Sequence, residues 1–224
     1  MYLEKLFHDT LPAKSQASVE AQHSFIYLWK GSATINGELL AEDSTAYTED
    51  IVTVAAGDSG ATLLRWELAP KQDPTHLLVG EKVSSVLRMS RQIKMFDLVP
   101  TSRWLFRLDC ILNAEGSTGL HAHPGSGIRC MLSTNGECRV ESEKGEESIS
   151  SNAGDVWYEE GSLPINSSRP PGVKTTFLRG MVFPPEFENF HDTVIWIERQ
   201  RKSDHSGDAS KFVKHYLQKI IKLR

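Results

Sequence analysis

Gly-Leu-His-Ala-His-Pro-Gly (Gly119 to Gly125) and Gly-Asp-Val-Trp-Tyr-Glu-Glu-Gly (Gly154 to Gly161) bracket the stretch that decides the fold. Two histidines separated by one residue on an extended segment point to the same face, because strand side chains repeat every second position. His121 and His123 therefore stand side by side, offering two imidazoles to one metal ion or one ligand. Glycines at both ends of each run mark tight turns between short strands.

The surrounding sequence has the same texture. Phe25 to Trp29, Ser32 to Ile35, Ile51 to Ala55, Ala61 to Leu68, Trp104 to Leu112, Gly127 to Leu132, Cys138 to Glu141, Val156 to Glu159 and Thr175 to Phe183 read as strands bounded by Gly, Asn, Asp or Pro. Asn36-Gly37 and Asn135-Gly136 are turn signals of the kind that join antiparallel strands. An all-β sandwich or barrel follows.

An internal repeat divides the chain. Ala61 to Pro70 aligns with Thr175 to Pro184, sharing Thr, Leu, Arg and the later Pro at equal spacing, and a strand followed by Asn-Gly-Glu lies upstream of each copy. The expected organisation is an N-terminal half over 1–78, a connector over 79–100, a C-terminal domain carrying the site over 101–190 and an extension over 191–224. The apolar connector reads as a strand followed by a helical turn. In the extension, Phe212, Val213, Tyr216, Leu217, Ile220 and Ile221 recur at i, i+1, i+4, i+5, which predicts an amphipathic helix, with a terminal strand as the alternative.

Composition sets outer limits. A net charge of −4 provides no electrostatic reason to bind nucleic acid. Three cysteines, Cys110, Cys130 and Cys138, without CxxC spacing argue against a disulfide framework and a cysteine zinc site. No signal peptide and no apolar run of membrane-spanning length is read, so the expectation is a cytoplasmic protein.

Together these residues resemble the cupin superfamily, in its two-barrel (bicupin) form. Gly119, His121, His123 and Gly136 match the first cupin motif, and Gly154-Asp155, Gly161 and Pro164 match the second. The resemblance implies two tandem jelly-roll β-barrels, the first degenerate because Ser18 to Ser24 holds one histidine, His23, and no pair. It also implies a metal site of three His and one Glu. Here the Glu position falls on Gly127 and the third His on Ile165, so the motif is incomplete. His121 and His123 are then the candidate catalytic residues and the candidate ligands of one divalent transition metal (Fe, Ni, Mn or Zn), with Glu159 or Glu160 as a substitute carboxylate.

Strand parity extends the candidate lining. If the strand resumes in phase after the glycine loop, Arg129 and Met131 face inward. Arg129 then holds a substrate carboxylate or pairs with an internal acid such as Asp109 or Glu159; a bulge would turn it outward. Trp157 and Glu159 complete the candidate ligand-binding set, with Trp157 as core or aromatic wall. Cys110 and Cys130 read as buried structural thiols. His8, His76, His191, His205 and His215 carry no assigned role. Three functions remain open: a small-molecule-binding protein or metal-independent enzyme, favoured by the missing ligands; a metal-dependent oxidoreductase or isomerase; and a non-catalytic structural or regulatory dimer. The partners expected are a small, carboxylate-bearing molecule and a second copy of the chain as a homodimer.

Overall fold

The computed structural model describes residues 1–93, 103–113, 115–190, 193–197 and 210–222. They form strands, one short 3-10 helix at Pro185–Asn189 and no α-helix. No described helix is long and apolar enough to cross a membrane. The chain divides into two compact units, Met1–Gln92 and Ile93–Arg224.

The first unit contains β1 (Tyr2–Leu11), β2 (Gln16–Ile35), β3 (Glu38–Leu40), β4 (Ser44–Pro70), β5 (Val79–Gly80) and β6 (Ser84–Gln92). Its sheet runs β3-β2-β4-β1-β6, with β5 added to β2. The long strands β2 and β4 bend, so that β2 pairs with one stretch of β4 at Tyr47 and with another at Trp66, both opposite Phe25. The sheet thereby curls around an apolar cluster that includes Val19, Ile26, Leu28, Ile35, Val52 and Leu63. Asn36 and Gly37 both adopt positive φ, 49° and 87°, as a two-residue hairpin demands, and join β2 to β3.

The second unit contains β7 (Arg103–Asn113), β8 (Gly116–Ser117), β9 (His121–Ala122), β10 (Gly127–Thr134), β11 (Cys138–Ser142), β12 (Glu147–Ser150), β13 (Val156–Glu159), β14 (Ile165–Arg169), β15 (Thr175–Phe183), β16 (Ile195–Trp196) and β17 (Ser210–Lys222). One sheet runs β13-β10-β15-β7-β17 and the other β12-β11-β14-β9-β16. They face each other, because one buried cluster joins Ile111, Met131, Trp157 and Phe177 of the first sheet to Cys138, Val140 and Ile165 of the second. Asn135-Gly136 is not a hairpin turn: it carries the chain from β10 in one sheet to β11 in the other. The Asn135 side chain instead pins a neighbouring loop, accepting from the Lys174 N–H at 2.7 Å and donating to the Gly172 carbonyl at 3.0 Å.

The predicted C-terminal helix is a strand. β17 runs antiparallel to β7, with register shifts between Phe212 and Lys214 and between His215 and Leu217. Each bulge adds one residue and reverses the alternation of faces. A period-two strand broken twice in this way shows the same spacing of apolar pairs as a helix. The segment read as a connector of a strand and a helical turn supplies β5 and β6 to the first unit's sheet; its last residues, 94–100, lie outside the described residues.

The aligned repeats occupy equivalent places. Ala61 to Leu68 lies between β1 and β2, and β15 lies between β7 and β10. β6 flanks β1 as β17 flanks β7. A buried ion pair recurs at the shared arginine: Arg65 Nε is 2.8 Å from Asp9, and Arg179 Nη2 is 3.1 Å from Asp109.

Candidate functional site

β9 covers only His121 and Ala122, with His123 directly after it, and two backbone carbonyls fix the imidazoles. The His121 Nδ1–H donates to the Gly119 carbonyl at 2.8 Å, and the His123 Nδ1–H donates to the Thr193 carbonyl at 2.9 Å. A carbonyl can only accept, so these contacts assign the Nδ1 protons, and a ring that is neutral keeps its lone pair on Nε2. The two rings meet edge-to-face, 5.1 Å apart.

Glu159, at the end of β13, reaches the same place. Its Oε2 lies 2.6 Å from Arg129 Nη2 and 3.3 Å from His123 Nε2, and its Oε1 accepts the Trp157 indole N–H at 2.9 Å. Arg129 is 1% exposed and Glu159 7%. Of the outcomes open for Arg129, the structure selects the buried pair with Glu159. Burial alone would raise the Glu159 carboxyl, but the Arg129 charge, His123 and the Trp157 N–H outweigh it and hold the group well below the usual carboxylate range.

Both imidazoles are pushed the other way. Burial, then the neighbouring His123, lowers His121 to about 4. Burial also lowers His123, against the upward pull of Glu159. The unfolded His121, with its ordinary value of 6.5, takes up a proton between about pH 6.5 and 4 while the folded one does not. Its contribution to stability is therefore complete above pH 6.5 and is lost as the pH falls towards 4, a span worth about 3 kcal/mol. Urea unfolding of wild type and His121→Asn at pH 7 and pH 4 is expected to show that much less pH dependence in the variant.

Met131 and Trp157 sit in the apolar layer beneath this polar group, with the Trp157 ring 5.0 Å from Phe177. All three cysteines are buried, and none is in a disulfide. His23, in the first unit, is half-buried with its Nδ1 2.8 Å from the Tyr47 hydroxyl. Cross-strand register shows what the first unit has in place of the site. Arg129 stands opposite Arg179 as Ile26 stands opposite Arg65. Glu159 stands opposite Gly127 as Thr48 stands opposite Ser24. Ile26 and Thr48 thus occupy the Arg129 and Glu159 positions, and no ion pair can form there.

Sequence reasoning named Asp109 only as a possible partner of Arg129 and missed Arg107, Arg179, His215, Thr193 and Trp196 as contributors. Asp109 is fully buried; its Oδ1 accepts from Arg107 Nε at 3.0 Å and faces His215 Nδ1 at 2.8 Å, and its Oδ2 accepts from Arg179. Burial would raise this carboxyl, but His215, Arg179 and Arg107 hold it below the ordinary range. The arginines shared by the two repeats were the available signal for this cluster. Thr193 and β16 had none, because they follow the second motif by some thirty residues. Trp196 of β16 lies directly across from His121, with ring centroids 5.7 Å apart. His191 and His205 lie outside the described residues.

The donor set does not fit the divalent transition metal that the resemblance implies. Gly127, at the Glu position, runs so close to β15 that a Cβ there would lie 1.9 Å from the Gly180 carbonyl oxygen, so no side chain fits without moving backbone. Ile165, at the third His position, is buried directly across from His121. The remaining carboxylate, Glu159, has its oxygens committed to Arg129 and Trp157, and the guanidinium places a permanent positive charge where a cation would bind. Among the described residues no group of three His, Cys, Asp or Glu side chains is arranged to hold a metal ion.

No model of a known protein family and no curated protein matches the sequence. Solved structures do. An oxalate decarboxylase variant from Bacillus subtilis superposes with a TM-score of 0.56 at 13% identity, over 99% of this chain and 81% of its own. Salicylate 1,2-dioxygenase from Pseudaminobacter salicylatoxidans gives 0.47 at 12% identity over 79% and 71% of the two chains. A cupin 2 conserved barrel domain protein from Leptotrichia buccalis gives 0.46 at 14% identity over 81% and 83%. The likeness to the decarboxylase spans both units, and it joins the two sequence motifs, the facing sheets and the paired histidines: the chain has the fold of the cupin superfamily.

Proposed function

We propose that the second unit is a small-molecule site for a carboxylate-bearing ligand, working through its own side chains rather than through a metal ion. The contact between His123 Nε2 and Glu159 Oε2, 3.3 Å apart, carries this reading. With Nδ1–H committed to Thr193, a neutral His123 would aim its lone pair at an ionised carboxylate. Two acceptors at that distance repel, so the contact calls for a proton on His123 Nε2, which the Glu159 carboxylate favours against the opposing effect of burial. That proton, Glu159 and Arg129 sum to one positive charge in a buried site, which favours an anionic ligand. His121, neutral at pH 7, supplies an acceptor for a ligand hydroxyl or a base for a ligand proton. Arg129 serves by holding Glu159 ionised and oriented, and Trp157 by fixing its second oxygen.

The neighbouring decarboxylase is named for oxalate, and small carboxylates are the natural first probes. Thermal unfolding with oxalate, pyruvate and salicylate, in the presence of a chelator, is the test. A ligand at a hundredfold excess over Kd stabilises by about 2.7 kcal/mol, several degrees in a chain of this size. The expected result is such a shift in wild type and none in His121→Ala. Equal shifts in both proteins, or a shift that needs added iron, nickel, manganese or zinc, would overturn the proposal.

A further inference from the structure

His121, His123 and Glu159 are 6%, 4% and 7% exposed, which is too little for a ligand to reach them through the surface as it stands. Some wall of the pocket has to move, and the strands around β9 are held very unequally. On one side lies β14, itself paired with β11 over four residues and with β8. On the other lies β16, the outermost strand of its sheet, joined to β9 over two residue pairs, Ile195 with Ala122 and Trp196 with His121. The Ile197 N–H donates to the Leu120 carbonyl at 3.3 Å, and the Thr193 carbonyl accepts from His123 at 2.9 Å.

Three of the segment's side chains hold it weakly as well. Ile195, Trp196 and Ile197 are each more than two-fifths exposed, so little apolar surface is recovered by keeping them in place. The Thr193 hydroxyl is buried with no hydrogen-bond partner among the described residues, a penalty that release to water or a bound polar ligand removes. An edge strand with few backbone bonds and little burial is the element that opens first.

We propose that residues 193–197 are the gate of the His121–His123 pocket, with Trp196 as the residue that covers His121. Closed, the segment does two things. The Trp196 ring shields His121, and the Thr193 carbonyl holds the Nδ1 proton of His123 so that Nε2 faces Glu159. Open, it exposes His121 Nε2 and frees the His123 ring from its acceptor. Thr193 is thus a positioning residue for the proton shared by His123 and Glu159, and ligand entry and proton placement are coupled through one short strand.

The inference rests on the reading of this pocket as a ligand site, and it is tested without any ligand. Diethyl pyrocarbonate modifies the neutral imidazole, and peptide mass spectrometry reads each histidine separately in the folded full-length protein. Half-buried His76 serves as the internal reference. In wild type, His121 is expected to react more slowly than His76, and in Trp196→Ala to gain about tenfold with His76 unchanged. A second variant, Ala122→Cys with Ile195→Cys, crosslinks the directly paired residues of β9 and β16. Its oxidised form is expected to protect His121 almost completely, and reductant to restore the wild-type rate. Equal His121 rates in all three proteins would overturn the gate, as would a rise at both His121 and His76 in Trp196→Ala. If these rates respond as stated but no carboxylate shifts the unfolding temperature, the gate stands and the ligand reading falls; the converse pattern removes the gate alone.

Discussion

Replacing Arg129 with methionine is expected to lower stability by about 3–5 kcal/mol, the cost of breaking a buried ion pair by removing one partner. Methionine preserves much of the volume, so packing loss contributes little. What is lost is the charge facing Glu159 at 2.6 Å, in a site where the carboxylate is 7% exposed. The Glu159 carboxyl then loses the strongest influence holding it low and rises towards protonation, which also removes the anion that faces His123. The double variant Arg129→Met with Glu159→Gln is the control, and it is expected to recover most of the loss because no uncompensated charge remains. Urea unfolding followed by tryptophan fluorescence reads both variants, Trp157 reporting directly on the site. A single variant as stable as wild type would show that the pair is not the electrostatic centre of this pocket.

The second large effect is expected at Asp109→Asn, again about 3–5 kcal/mol. Asp109 is fully buried and receives Arg107, Arg179 and His215 on its two oxygens. Asparagine leaves two buried guanidiniums without the carboxylate between them, and its own N–H group confronts donors rather than acceptors. β17 should loosen at the same time, since His215 is the side chain that ties it to this cluster, and hydrogen exchange along β17 would rise. Asp9→Asn in the first unit provides the comparison. Arg65 there keeps a second ion pair, with Glu67, so the smaller loss is expected. Equal losses in the two units would mean that the three-way cluster at Asp109 adds nothing beyond a single pair.

These two residues lie in one connected layer. Arg179, paired with Asp109, also lowers His123, so the charges around Asp109 bear on the proton shared by His123 and Glu159. The first unit keeps the Asp–Arg pair and lacks the rest. Its Ser85 donates to Asp9 from β6, where β17 brings His215 to Asp109. The duplicated element is therefore the pair that ties each flanking strand to its barrel, while the Arg129–Glu159–His123 group belongs to the second unit alone.

Much of the fold was legible in the chain because strand signals are local. Alternating apolar residues and bounding Gly, Asn and Pro located every strand read from the sequence, and the Thr–Leu–Arg repeat marked equivalent strands in the two units. His-x-His spacing pointed to His121 and His123 as neighbours, and their rings do meet, although β9 ends at Ala122 and His123 lies just beyond it. What local pattern could not decide was anything set by a partner strand. The apolar pairs of 212–221 suit a helix and a bulged strand equally, and pairing with β7 chose the strand. Asn135-Gly136 has the same composition as a hairpin turn, and the two-sheet architecture made it a crossing. Parity left Arg129 inward or outward according to a bulge and its acid as Asp109 or Glu159, and β13, folded alongside β10, settled it on Glu159. Thr193 and Trp196 are separated from His121 by some seventy residues, and a backbone carbonyl that fixes an imidazole proton leaves no mark on the sequence, because every residue carries one.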